Sequence, residues 1–195
     1  MGTWLFFGFL VLVLIYIIAV YNKLIALRNR FKNGFAQIDV QLQRRHDLIP
    51  SLVESAKAYL GHEKETLTQV IEARNQAETA RKNARAQPDN AGAMTALGRA
   101  EGLLSGSLAN LYAVSEQYPE LRANETIAQL MEELTSTENR VGFARQAFND
   151  LVMDYNTYRE QFPNNFIAGL FGNFKAAQQL ELEDPAARQA VKVSF

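Results

Sequence analysis

Residues Trp4 to Tyr21, WLFFGFLVLVLIYIIAVY, form an unbroken run of about 18 uncharged, mostly apolar side chains. At 1.5 Å per residue, a helix of that length crosses most of a hydrocarbon core about 30 Å thick. Trp4 and Tyr21 stand at its ends and Tyr16 lies in its last turns, and the rings of such residues favour the headgroup level. With Lys23 they make the expected anchor, residues 1–22. A secretory signal would begin with a basic residue and end in a small-x-small cleavage site, but no Lys or Arg precedes the run and AVY is a poor site. A half-buried core helix would be apolar on one face only. Lys23, Arg28, Arg30 and Lys32 all precede the first acid, Asp39. The positive-inside rule therefore predicts a single-pass protein with its short N-terminus outside and its body in the cytoplasm. Phe6 occupies the Ser/Thr position of a myristoylation signal, and the absence of cysteine excludes prenyl and palmitoyl anchors.

Beyond the anchor the helical period continues without a turn signal. Leu24, Leu27, Phe31, Phe35, Ile38, Leu42, Arg45, Ile49, Leu52, Ala56 and Tyr59 recur every three or four residues as a narrow seam. Gly61 is a helix stop. A second helix with a mostly alanine buried face follows, then the turn PDNAG and a third helix from about Ala93 to Gln117. Asn124 caps a fourth, whose seam runs from Ile127 to Phe162 before Pro163. The expected fold is all-α: the membrane helix continues into a long antiparallel up-down four-helix bundle, residues 23–162. An apolar membrane-proximal segment, 163–174, and a flexible tail, 175–195, complete the expected division.

RRHDLIP, residues 44–50, interrupts this scheme. Pro50 cannot donate to the carbonyl of His46 and should kink the helix. Arg45 falls on the seam, where an unpaired charge costs several kcal/mol. With the membrane-distal ends of helices one and four aligned, Arg45 comes level with Glu138, the first choice of partner, and Glu133 is the second. Arg44, Arg45 and His46 then bracket the freed carbonyl. A kink with a structural ion pair that sets bundle register is one reading, and a ligand site is the other.

The same alignment returns Phe162 to the membrane surface. FIAGLFGNF, with Phe166, Leu170 and Phe171, either lies in the lipid interface or caps the bundle. Gly98, Gly102 and Gly106 share one face of helix three, to pack against helix two's alanines or to self-associate. The closing KVSF, with Val193 and Phe195, is a candidate linear motif.

A net charge of −1 gives no case for nucleic acid. The residues three before His46 and His62 are Gln43 and Tyr59, so Glu-x-x-His di-iron motifs are absent, and HEKET is not a zincin signature. Neither a cofactor nor a metal is expected, and no catalysis.

YNKLIALRNRFKNGFAQIDVQLQRRHDLIPSLVESAKAY, YPELRANE, EELTSTENRVGFARQAFNDLVMDYN, FPNNFIAGLFG and EDPAARQAVKVSF together resemble the LemA family of bacterial membrane proteins. The resemblance implies an outside N-terminus, one spanning helix in the inner membrane and a cytoplasmic helical bundle. It supplies no catalytic residues. By association it implies an envelope or membrane quality-control setting, with a membrane protease or a TPM-domain protein as partner. The function expected is a scaffold or adaptor that self-associates at the bilayer, and the competing class is a receptor subunit relaying membrane state through the kink at Pro50.

Overall fold

A computed structural model describes residues 2–181. The helices are α1 (Gly2–Ala56), α2 (Lys64–Ala86), α3 (Ala91–Ser115), the single turn α4 (Pro119–Arg122), α5 (Glu125–Glu160) and the short α6 (Asn164–Phe171). An extended segment follows α6. Four of the helices, α1, α2, α3 and α5, build an antiparallel bundle in which α1 lies along α5, α2 along α3, and α1 against α2.

The local causes are those of helix ends. The side chains of Asn90 and Asn124 accept hydrogen bonds from the amides of Ala93 and Ile127, and so satisfy backbone donors that open α3 and α5. Pro119 stands at the first position of α4, where its missing N–H costs nothing.

The α1 seam is buried from Leu24 to Ala56. Opposite it, α5 supplies Phe148, Val152 and Tyr155. Phe31 lies 5.1 Å from Tyr155 and Phe35 lies 5.8 Å from Phe148, ring centre to ring centre, in tilted and edge-on pairings that aromatic quadrupoles favour. Only 6% of the apolar N-terminal stretch is buried, so α1 before Val20 is not a core helix of this fold. The seam residue Phe162 is 80% exposed, because α5 stops at Glu160 and the chain turns before α6.

The two hairpins have different reach. Asp89, in the α2–α3 turn, is bonded by Arg28 at 3.1 Å and Lys32 at 2.8 Å, which places that turn level with the second and third turns after Tyr21. The end of α5 continues past it, so the base of the molecule is made by α1, α5, α6 and the extended segment.

That extended segment corrects the expectation of a flexible tail from residue 175. Up to Glu181 the chain is docked, with Phe174, Ala177 and Leu180 buried. Asn156 donates to the Ala177 carbonyl at 2.8 Å and accepts from its amide at 2.9 Å. Asn149 treats Leu180 the same way, at 3.2 and 2.8 Å. Two helical turns of α5 rise about 10.5 Å, and three extended residues span about 10 Å, so carboxamides seven apart on a helix meet backbone groups three apart on a strand. Each asparagine stands in for the peptide group of a neighbouring strand. Val193 and Phe195 lie outside the described residues.

The segment also explains Gly98. A Cβ there would collide with the carbonyl of Glu181. Its role is close approach by the strap, not by the alanine face of α2 as expected. Gly102 is buried, whereas Gly106 has open space around its Cβ position. Gly98→Val is therefore expected to lift the strap while leaving the helices in place. Hydrogen exchange at the Ala177 and Leu180 amides should accelerate with helical circular dichroism unchanged.

Candidate functional site

The core is cut in two by a layer of charge. One apolar cluster runs from Val20 to Leu42 with Ala84, Leu97 and Phe148, and the other from Ile49 to Leu60 with Val70, Leu104 and Leu134. Between them lie Asp39, Arg45 and His46 of α1, Arg81 of α2 and Glu101 of α3, none more than 6% exposed, with the half-buried Glu78 of α2 at their edge.

Glu101, fully buried, is the centre. One carboxylate oxygen accepts from Arg45 Nη1 at 3.3 Å and the other meets His46 Nε2 at 2.7 Å. His46 Nδ1 faces Glu78 at 3.0 Å, so its two contacts are both made when both ring nitrogens carry hydrogen. Arg81 bonds Asp39 at 2.6 Å and forks onto Glu78 at 3.1 and 3.2 Å. Hydrogen bonding from Arg81 holds the Glu78 carboxyl well below the usual carboxylate range, against its partial burial and with help from His46 and Lys82. Burial works against the charge of Arg81, but its bonds to Glu78 and Asp39 keep it above its ordinary value.

The predicted residues fall around this layer. Arg45 reaches Glu138 at 3.8 Å, but that carboxylate is 57% exposed and the buried partner is Glu101. Arg45 Nη2 also donates to Ser105 at 3.0 Å. Glu133, the second choice, pairs at the surface with Arg44 instead, at 2.8 Å. Pro50 sits within α1, which stays helical to Ala56. The carbonyl it frees, that of His46, accepts from Arg74 Nε of α2 at 3.0 Å. The side chains of Arg44, Arg45 and His46 bond carboxylates instead, of Glu133, of Glu101, and of Glu78 and Glu101. Most polar atoms of the layer are turned on one another, and Arg45 Nε is buried without a hydrogen-bond partner among the described residues.

Open space lies elsewhere. A cavity of about 490 Å³ beneath the α2–α3 turn is lined by Arg28, Asp89, Tyr155 and Lys175. A groove of about 650 Å³ at the far end is lined by Pro50, Leu60, Leu67 and Ile71. At the base, Trp4 is 82% exposed and Lys23 is exposed. Tyr21 packs edge-on against Phe171 and Phe174, at 4.9 and 5.4 Å. The Tyr16 hydroxyl donates to Asn164 Oδ1 at 3.0 Å. Phe166 and Leu170 lie on the outer face of α6, exposed, and Phe171 is exposed in part beside Tyr21.

A long apolar helix uncovered from Gly2 to Tyr16 and continuous with a closed helical bundle defines a helical, membrane-associated protein. The chain belongs to the LemA family, whose model matches residues 34–195. It is also similar to two magnetosome proteins of Paramagnetospirillum magneticum (strain ATCC 700264 / AMB-1), MamQ 1 and MamQ 2, each 25% identical over 182 residues, 85% of this chain. The chain spans 66% of the length of those relatives. Magnetosome protein MamQ of Magnetospirillum gryphiswaldense (strain DSM 6361 / JCM 21280 / NBRC 15271 / MSR-1) is 33% identical over 95 residues, 49% of this chain and 34% of its own length.

Two outcomes follow for the charge layer. Glu101→Ala strands Arg45 in the core and is expected to cost about 3–5 kcal/mol, whereas Glu138→Ala, at an exposed partner, should cost no more than about 1 kcal/mol. Denaturant titration of the two variants measures the difference. Glu78 binds its proton less readily folded than unfolded, so its contribution is present above the ordinary value of 4.5 and is lost as the pH falls below it. Glu78→Gln should flatten the loss of stability on the acid side of that value, read as denaturation midpoint against pH.

Proposed function

We propose that this chain is a non-enzymatic scaffold or adaptor of the bacterial inner membrane, single-pass, with its N-terminus outside and its bundle in the cytoplasm. The observation that carries the reading is α1 itself. One helix, Gly2–Ala56, is both the apolar span and the first wall of the bundle, with no joint between them. Whatever the bundle holds is thereby held at a fixed height and angle relative to the span. The buried charge layer supports a mechanical role, since a histidine bonded through both nitrogens inside a packed core has no free atom for chemistry. Self-association of the bundle, a membrane protease or TPM-domain partner, and a membrane quality-control setting belong to the same proposal.

A relay is the second reading, favoured by the bond from Arg74 to the carbonyl that Pro50 leaves free, since it ties the proline turn of α1 to α2. The two readings part on Pro50→Ala: a scaffold keeps assembly and partner capture, while a relay keeps assembly and loses its output.

The mass of the full-length protein in polymer-bounded lipid discs tests the scaffold. A discrete oligomer is expected. Monomers at all concentrations, with no partner recovered by cross-linking from intact membranes, would overturn it.

A further inference from the structure

From Gln161 to Phe174 the chain carries no charged side chain, and it is bracketed by Arg159 and Glu160 on one side and Lys175 on the other. Within that stretch α6 has two faces. Asn164, Ile167 and Ala168 turn inward and are buried at the foot of the bundle. Phe166 and Leu170 turn outward, 67% and 76% exposed, beside Phe162 at 80%, whereas Phe171, 42% exposed, falls on the inward side and packs against Tyr21. Bundle-capping therefore accounts for only one side of this helix.

The height of the outward face is set by α1. Asn164 is bonded to Tyr16, five residues inside the apolar run from Tyr21. Five residues of helix rise about 7.5 Å. Amphipathic helices that lie in a bilayer bury their apolar face about 5–10 Å into the boundary between headgroups and acyl chains. If Tyr21 and Lys23 mark the surface, the start of α6 lies at that depth. The polar groups at that level are answered from within: Asn164 Oδ1 accepts from Tyr16, and its amide donates to the Tyr158 carbonyl at 3.0 Å. Such pairing is what a medium without water demands. Past the helix, Gly172 adopts φ 62°, a left-handed turn that sends the strap up along α5. Lys23, exposed and without an ion pair among the described residues, stands above this level, where lipid phosphates lie.

We propose that α6 is a second membrane element, seated in the headgroup and acyl boundary of the same bilayer that α1 enters, with Phe166 and Leu170 in contact with lipid. The proposal deepens the reading of α1 as a span and depends on it. Two attachments at different points of the base remove the freedom of the bundle to swing about α1.

The chain has one tryptophan, Trp4, so each site can be read alone. Full-length protein is reconstituted in phosphatidylcholine vesicles, with lipid brominated near the glycerol end of its acyl chains as quencher. The unaltered chain reports the span through Trp4. Phe166→Trp in a Trp4→Phe background reports α6, and Phe143→Trp in the same background, at an exposed position on the bundle side of α5, is the control. Blue-shifted emission from position 166, mostly lost to the quencher while position 143 is untouched, is the expected result. Quenching of Trp4 without quenching at 166 overturns the α6 proposal and leaves the span standing. Failure to quench either removes both. Blue-shifted, unquenched emission at 166 that reddens on dilution of protein in lipid assigns the face to a second copy instead, and equal quenching at 143 also overturns the proposal.

Discussion

Glu101 is the group on which the bundle's register depends. It is a carboxylate with no exposed surface, placed on α3, and it is bonded by two consecutive residues of α1. An apolar seam tolerates sliding by a turn with small loss, because leucine layers resemble one another. A buried charge does not, since displacement by one turn strands an arginine, a histidine and a carboxylate together. Arg81 and Asp39 repeat the constraint between α1 and α2. The layer thus locks three helices at one height and divides the core into two apolar halves. Arg45 Nε, buried without a hydrogen-bond partner among the described residues, shows that satisfaction is incomplete. That is the pattern expected where such a layer specifies an arrangement at some cost in stability.

Periodicity made the walls of the bundle legible. The α1 seam, the cap at Asn124 and the antiparallel course follow from spacing and loop length, whereas the cap at Asn90 lay inside what reads as a turn. Aligning α1 with α5 brought Arg45 near Glu138, because those helices share one long contact whose ends can be matched. Glu101 was not legible. The height of α3 against α1 depends on two intervening turns, and an error of one residue in either rotates a different side chain into the layer. Arg81 was hidden in a face that reads as alanine, with Ala77 and Ala84 on either side. Arg74 was missed for a related reason: the donor to a carbonyl freed by proline can come from any neighbour, and sequence shows only the helix that carries the proline.

The strap was missed because its apolar residues, Phe174, Ala177 and Leu180, recur every three. That spacing fits neither the pleat of a strand nor a full helical face. The readable sign lay on the partner: Asn149 and Asn156, seven apart beside the α5 seam, where a bundle helix ordinarily carries apolar or long charged residues. Carboxamides at that spacing can hold an extended chain. Gly98 on α3 was a second sign, since a glycine that costs about 1 kcal/mol of helix propensity needs a backbone against it, and here that backbone is the strap.

Registered layer, strap and base together bear on how an event at the membrane end could reach the far end. About 36 Å of α1 separates Tyr21 from Arg45, and along that length the helix is flanked by α5 and, from Arg28 and Lys32 onward, by the end of the α2–α3 hairpin. A helix so flanked can translate or rotate only with its neighbours, and the charge layer opposes both. Motion of the base would therefore be carried as a whole-body tilt of the bundle, not as sliding of one helix. The turn from His46 to Pro50 differs: the backbone bond there is absent, and its replacement runs across to Arg74 of α2. Past the layer, α1 is thus tied to α2 through a side chain, and local bending at that end could proceed without disturbing the registered half. The groove lined by Pro50, Leu60 and Leu67 begins at that turn, so bending there is the motion that would reshape it.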